Sequence, residues 1–360
     1  MIRLALRPVA TVAFPARVLT VLIAWALVLP PAVAQAGTLD AAARREVVLQ
    51  LADLLNQRYV FADVGQKTAE YLRAGLAAGD FGRAATTADL ARLLTQQLQA
   101  QTKDKHLQVM ATDAAHGGPF GSPRAMQQSN YGFERLQRLP GNIGYLDLRF
   151  FMDGSAAADV AIASMNWLAN SDALIVDLRR NGGGEPEMIR FIQSYLFDAP
   201  TLLNTLHWRD DSVRGGYRIE EFRTSEEVPG RRYGQKKPVW VLTSDFTFSG
   251  GEEFAYNLQA LKRGTVIGQT TGGGAHPGDL FPLGHGMSVH LSTGRAVNPL
   301  TKANWEGTGV TPDIVVPADQ ALRRAQIEIL IPMIAAEADP ARRRALEARS
   351  LALKDGKPEY

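Results

Sequence analysis

The chain of 360 residues contains no cysteine. That excludes disulfides, thiol catalysis, thiolate metal sites and a lipid-anchored cysteine, so core packing alone has to hold the fold. Excess charge is lacking as well, with 39 Lys and Arg against 37 Asp and Glu. Arg3, Arg7 and Arg17 lie in the first 34 residues, and without them the balance is 36 to 37. Such a balance gives no electrostatic case for a nucleic-acid partner. The longest apolar run, Val18 to Leu29, is 12 residues, short of the ~20 that span a bilayer. There is no His-Glu-x-x-His and no other spacing that marks a metal site, and no cofactor is implied.

What is present begins with three arginines, the apolar run, Pro30-Pro31 and Ala32-Val33-Ala34. That is the order of a secretory signal. It predicts a signal peptide over 1–34, cleavage after Ala34 or Ala36, a periplasmic or secreted product, and no stable membrane insertion once the signal is removed. With 46% hydrophobic and 21% charged residues, the remainder can bury a sizeable core.

Residues 35–110 read as a helical domain, with apolar positions at helical spacing (Val47, Val48, Leu51, Leu54, Leu55, then Leu90, Leu93, Leu94, Leu98) and breaks near Asp63 to Gly65 and Ala78 to Gly82. Thr86 followed by Asp89 predicts a capped helix start. Residues 111–129 are rich in Gly, Pro, Ala and Ser and read as a linker. From 130 to 318 strand-like runs (143–150, 173–178, 204–209, 216–222, 239–243, 265–268, 288–292, 314–316) alternate with helical ones (157–169, 187–197, 251–261), the pattern of an α/β domain. Residues 319–360 form a helical tail interrupted by Pro340.

Three segments carry chemistry. Ser249, in Thr247-Phe248-Ser249-Gly250-Gly251-Glu252, stands between an apolar strand and a helix start, where a hydroxyl is exposed beside free N–H groups such as that of Gly250. A helix-capping serine would show the same local pattern, and Ser244 is the next serine upstream. Ala173-Leu174-Ile175-Val176-Asp177-Leu178 runs into Arg179-Arg180-Asn181-Gly182-Gly183-Gly184, a strand and a glycine loop whose Gly182 and Gly183 can donate N–H groups to an oxyanion. The loop lacks the Lys-Ser/Thr of a phosphate loop and the spacing of a dinucleotide turn. The third segment is Trp305-Glu306-Gly307-Thr308-Gly309-Val310-Thr311-Pro312-Asp313-Ile314-Val315-Val316.

Together with Leu139-Pro140-Gly141-Asn142-Ile143-Gly144-Tyr145-Leu146 and Thr270-Thr271-Gly272-Gly273-Gly274-Ala275-His276-Pro277-Gly278, these segments resemble the tail-specific (C-terminal processing) serine peptidases. The resemblance is greatest to the branch that holds the repeats of interphotoreceptor retinoid-binding protein and the tricorn protease core. It implies a ClpP/crotonase-like spiral of β-β-α units behind a small N-terminal helical bundle, with Ser249 as nucleophile and a peptide or unfolded protein as substrate. It also implies an esterase or amidase, or a non-catalytic carrier of hydrophobic small molecules, as alternatives on the same fold.

The base is where the chain departs from the bacterial pattern. Relatives with a Ser-Lys pair carry lysine in a Gly-Lys-Gly turn; here that turn is Gly272-Gly273-Gly274, and Lys262 is expected on the exposed face of the helix after Ser249. The resemblance to the tricorn type points to His106 as base and Glu306 as the carboxylate that orients it. His276 remains the competing base, with a role in substrate binding alongside Gly273 and Gly274 as its milder reading. His116, His207, His285 and His290 are expected at the surface or in packing.

Overall fold

The structure, a computed structural model, describes residues 39–111 and 122–360. The expected signal peptide and residues 112–121 of the expected linker lie outside them. Three helices open the chain: α1 (Ala41–Arg58), α2 (Ala62–Ala78) and α3 (Thr87–Thr102). Asp40 accepts from Ala43 N–H (2.7 Å) at the start of α1. At α3, Thr86 Oγ1 accepts from Asp89 N–H and donates to Asp89 Oδ2, the reciprocal cap that the sequence predicts.

There follow β1 (Gln108–Ala111), α4 (Pro123–Gln128), β2 (Phe133–Leu139), β3 (Ile143–Leu148), α5 (Ser155–Leu168), β4 (Ala173–Asp177), α6 (Pro186–Ser194), β5 (Leu202–Arg209), β6 (Tyr217–Arg223), β7 (Val239–Thr243), α7 (Gly250–Ala260), β8 (Thr265–Gly268), β9 (Gly278–Gly284), β10 (Met287–Ser292), β11 (Gly294–Val297), β12 (Ile314–Val315), α8 (Ala318–Ala336) and α9 (Pro340–Lys354). The chain is thus a mixed α/β fold behind N-terminal helices. Pro340 does not break a helix but opens α9 at its first turn, where it has no N–H to lose.

The central sheet has the order β12-β8-β7-β4-β3-β2, parallel except for β2 against β3. Successive side chains of a strand point to opposite faces, and both faces are covered. Leu146, Val176 and Val241 pack with Met165, Ile189 and Phe254 of α5, α6 and α7. Their neighbours Tyr145, Ile175 and Leu242 pack with Leu322, Ile329 and Leu346 of α8 and α9. This accounts for the unbroken apolar character of β3 and β4.

A second core joins Leu51, Leu55, Leu72 and Leu94 of the N-terminal helices to Leu283, Val289 and Leu291 of β9 and β10. The sheet β1-β10-β9 completes it, so α3 and β1 deliver the segment between them, residues 103–107, to the edge of the α/β core. A third sheet has the order β11-β5-β6. The site forms where two parallel neighbours, β4 and β7, end on the same side and send out the glycine loop and the Ser249 turn, as open α/β sheets generally do.

Candidate active site

The turn from β7 into α7 is stitched to the loop after β4. Thr247 Oγ1 donates to Leu178 O (2.7 Å), Ser244 Oγ to Arg179 O (2.5 Å) and Phe248 N–H to Asn181 O (3.1 Å). Buried Asn181 in turn donates to Leu148 O and accepts from Gly183 N–H (2.8 Å). These bonds hold Ser249 at φ 53° and ψ −119°, a region that costs a residue with a side chain about 1–3 kcal/mol. Gly183 presses on it from the facing loop. With φ 106°, it would place a Cβ 2.8 Å from Ser249 Cβ, so only glycine fits. Ser249 is half-buried and lines a cavity of about 650 Å³, whereas Ser244 is buried with its hydroxyl engaged.

Gly250 supplies the first N–H of α7, which has no acceptor within the helix. The expected partnership of Gly182 and Gly183 needs correction. Gly182 N–H donates to Arg149 O (3.1 Å) and Gly183 N–H to Asn181 Oδ1, so both are occupied. Gly184, which the sequence reading did not single out, lines the cavity, and its backbone nitrogen lies beside Gly250.

Glu252 anchors this region from beneath. Its Oε2 accepts from Ser249 N–H (2.9 Å) and Gly274 N–H (2.8 Å), and its Oε1 from Thr271 Oγ1 (2.5 Å) and Gly273 N–H (2.6 Å). Burial pushes its pKa up while these donors pull it down. Gly273 is thereby a structural residue, a correction to its expected contact with substrate; Gly274 does line the cavity. Glu252→Gln sets an amide NH2 against N–H donors. We expect a loss of about 1–3 kcal/mol in stability together with loss of Ser249 reactivity; unchanged urea unfolding would remove the anchoring role.

His106 also lines the cavity. Its ring lies 4.6 Å from that of Phe248 and 5.7 Å from that of His290, centroid to centroid. A Cβ on Gly274 would stand 2.7 Å from His106 Cε1, which explains the glycine there. Among the described residues neither ring nitrogen has a hydrogen-bond partner, and both are shielded from solvent. Burial pushes the imidazole pKa down to about 4, the nearby Asp104 opposing it. His290, expected at the surface or in packing, lines the cavity and holds His106 O with its Nδ1 (3.1 Å).

Glu306 does not touch the His106 ring. It accepts from Ala275 N–H (2.5 Å) and pairs with His276, whose Nδ1 lies 3.5 Å from Glu306 Oε2 and 3.5 Å from Asp104 Oδ2. This corrects the expected contact between Glu306 and His106: the loop after α3 turns the His106 ring toward the cavity and gives Asp104 to the buried cluster instead. Asp104 Oδ1 accepts from His106 N–H (2.9 Å) and Oδ2 from Tyr59 Oη (3.1 Å). Burial would raise the Asp104 pKa, but His276 and its hydrogen bonds hold it below the usual range; burial raises that of Glu306 against the pull of His276.

His276 is 6% exposed, packs edge-on against Phe61 and lies off the cavity lining, so it is not placed to contact substrate. One atom each of Asp104, His276 and Glu306 lies within 4.8 Å of the others, a grouping that could hold a metal ion. The two carboxylate oxygens nearest His276 already accept from Tyr59 and Ala275.

Lysine is present at the glycine turn after all. Lys105 Nζ donates to Gly272 O (2.5 Å) and lines the cavity, reaching the turn from the neighbouring loop. Lys262 is exposed, as expected, though just past the end of α7 rather than on it. A further cleft of about 770 Å³, bordered by Arg138, Asn142, Asp172 and Arg342, holds neither serine nor imidazole.

The chain covers 55% of the length of the carboxy-terminal-processing protease of Bartonella bacilliformis, to which it is 25% identical over 68% of its own length. It is 26% identical to the tricorn protease of Thermoplasma volcanium over 61% of its length, covering 19% of that protein. A solved structure from Parabacteroides merdae ATCC 43184 superposes with a TM-score of 0.56 at 20% identity, over 80% of this chain and 96% of that one, a likeness of fold. The profile of Peptidase family S41 matches residues 142–316, and that of the N-terminal domain of Peptidase_S41 in eukaryotic IRBP matches 38–136. With both its helical and its α/β parts matched by profiles of one family, the chain belongs to peptidase family S41.

Proposed function

We propose that the protein is an exported serine peptidase that cleaves peptides or unfolded protein tails through an acyl-enzyme on Ser249, with His106 as base. One observation carries this reading: a backbone-strained serine at a helix N-terminus shares a cavity with an imidazole whose nitrogens have no partner among the described residues. Ser249 Oγ attacks the substrate carbonyl and His106 takes its proton. The oxyanion meets the N–H of Gly250, with that of Gly184 beside it. His106 then returns the proton to the leaving amine, and water releases the acyl group by the same steps. The bond from Ser249 to His106 forms as substrate fills the cavity, since catalytic hydrogen bonds tighten in the bound complex. Glu306 and Asp104 act through the backbone, fixing Ala275 and His106 respectively.

Export rests on the N-terminal sequence. Among the described residues no helix is long and apolar enough to cross a membrane. The aromatic lining of the cavity, with Phe248, Phe222 and Trp208, also suits a carrier of hydrophobic molecules. A fluorophosphonate probe separates the two: we expect a covalent adduct mapped by mass spectrometry to Ser249, and an unlabelled but folded protein would favour the carrier.

His106 also sets a pH signature. Because its folded pKa is depressed, the imidazole stays neutral and competent well below pH 6.5, so the acid limb of kcat/KM should fall near pH 4 rather than near 6.5. The unfolded chain binds its proton around 6.5. The His106 contribution to stability is therefore full above pH 6.5 and lost as pH falls toward 4. An acid limb centred on 6.5 would assign the titration to a different base.

A further inference from the structure

One helical turn beyond Ser249, the cavity wall carries a group that the reaction does not use. Glu253 is 6% exposed, donates its N–H to Ser249 O (3.0 Å) and lines the cavity. Beside it are the buried amides of Asn204 and Asn257. Residues 204, 206 and 208 share one face of β5. Leu206 and Trp208 line the cavity, so Asn204 stands next along that stripe. Leu206 faces Ala296 across the β5–β11 pairing, and with Phe222 they give the pocket apolar walls.

The polar end of this pocket is short of donors. Among the described residues, Asn204 Oδ1 and Nδ2 and Asn257 Oδ1 are buried without hydrogen-bond partners, and the Glu253 carboxyl has no cation beside it, only these two amides. Buried polar atoms left in this state cost about 1–3 kcal/mol each, unless a ligand satisfies them. We propose that this pocket takes a cationic substrate side chain, lysine or arginine, adjoining the scissile bond, with Glu253 as its counter-charge and the apolar walls holding its methylene stem.

Two further observations agree. Burial pushes the Glu253 carboxyl up to about 7, the mark of an anion that lacks a counter-charge; the two asparagines lower it only in part. Among the described residues, Glu185 and Asp279 also line the cavity without a salt bridge, while the only lysine or arginine on the lining, Lys105, is engaged with Gly272. The field at the mouth therefore favours a positive substrate.

The inference rests on Ser249 as nucleophile, and its test keeps the two apart. Peptides identical except for Lys, Arg, norleucine or Glu at the residue whose carbonyl is attacked, and a second set varied at the residue after it, are compared by kcat/KM. Fluorophosphonate labelling of Ser249 is measured in parallel. The wild type should prefer Lys or Arg over norleucine by about tenfold or more in one set. Glu253→Gln, verified as folded by circular dichroism, should bring that ratio near one, mainly through KM. A labelled wild type that cleaves norleucine peptides as well as lysine peptides in both sets overturns the cationic pocket and leaves the peptidase reading standing. A wild type that neither labels nor cleaves any of them overturns both.

Discussion

Ser249→Gly should produce a protein that is dead and slightly more stable than the wild type. The φ of 53° and ψ of −119° at this serine are forced by bonds on both sides, Glu252 to its N–H and Thr247 and Phe248 to the loop after β4. Glycine adopts such angles freely and releases about 1–3 kcal/mol of strain. Its greater freedom in the unfolded chain returns roughly 0.5–1 kcal/mol of that, leaving a net gain of about 1 kcal/mol. Ser249→Ala keeps the strain and should unfold near the wild-type midpoint. Both variants lack the attacking oxygen, so turnover should fall by roughly 10³ to 10⁶. Urea unfolding beside peptide hydrolysis tests both halves. A glycine variant clearly less stable than the alanine variant would mean that the backbone there is not strained, and residual hydrolysis near wild-type level would move the nucleophile elsewhere.

What made Ser249 legible in the sequence is that its signal is local: an apolar strand, a serine and two glycines opening a helix. The buried strands β3, β4 and β7 and helices α1 to α3 were legible for the same reason, since periodicity and composition are properties of a short window. Strand β9 was not. Its Gly-Asp-Leu-Phe-Pro-Leu-Gly reads as a loop, yet it forms the sheet edge, where Pro282 is tolerated against Ser288. Strand β2, Phe-Glu-Arg-Leu-Gln-Arg-Leu, has apolar residues three apart like a helix, and as an edge strand it needs no alternation. The partners of the imidazoles were illegible for a different reason. Asp104, His276 and Glu306 come from three separate segments, and only the close packing of those segments decides that Glu306 meets His276 rather than His106. Glu252 holds the Ser249 N–H at the start of α7, but three of its four donors come from the 271–274 turn, which nothing in its local sequence indicates.

The base is decided by comparing three variants whose expected effects differ in kind. His106→Ala should lower kcat by about 10³ or more with KM little changed, because it removes the cavity imidazole proposed as base, whose two nitrogens have no partner among the described residues. His276→Ala removes no group from the cavity. It leaves Asp104, buried, and Glu306, half-buried, without the imidazole between them, so its main effect should be on stability, about 1–3 kcal/mol, with the loss of turnover following as the Ala275 turn loosens. Lys105→Ala frees Gly272 O and withdraws an amine from the cavity, and should change kcat severalfold at most. Glu306→Gln gives the sharpest discrimination. If the carboxylate works through His276, the two substitutions should be strongly non-additive in a double-mutant cycle for stability, while Glu306→Gln and His106→Ala should combine almost additively there. A Lys105→Ala protein without activity, beside a His106→Ala protein that keeps it, would transfer the role of base to the lysine. It would then serve the site from the loop after α3, held at the glycine turn by Gly272 O.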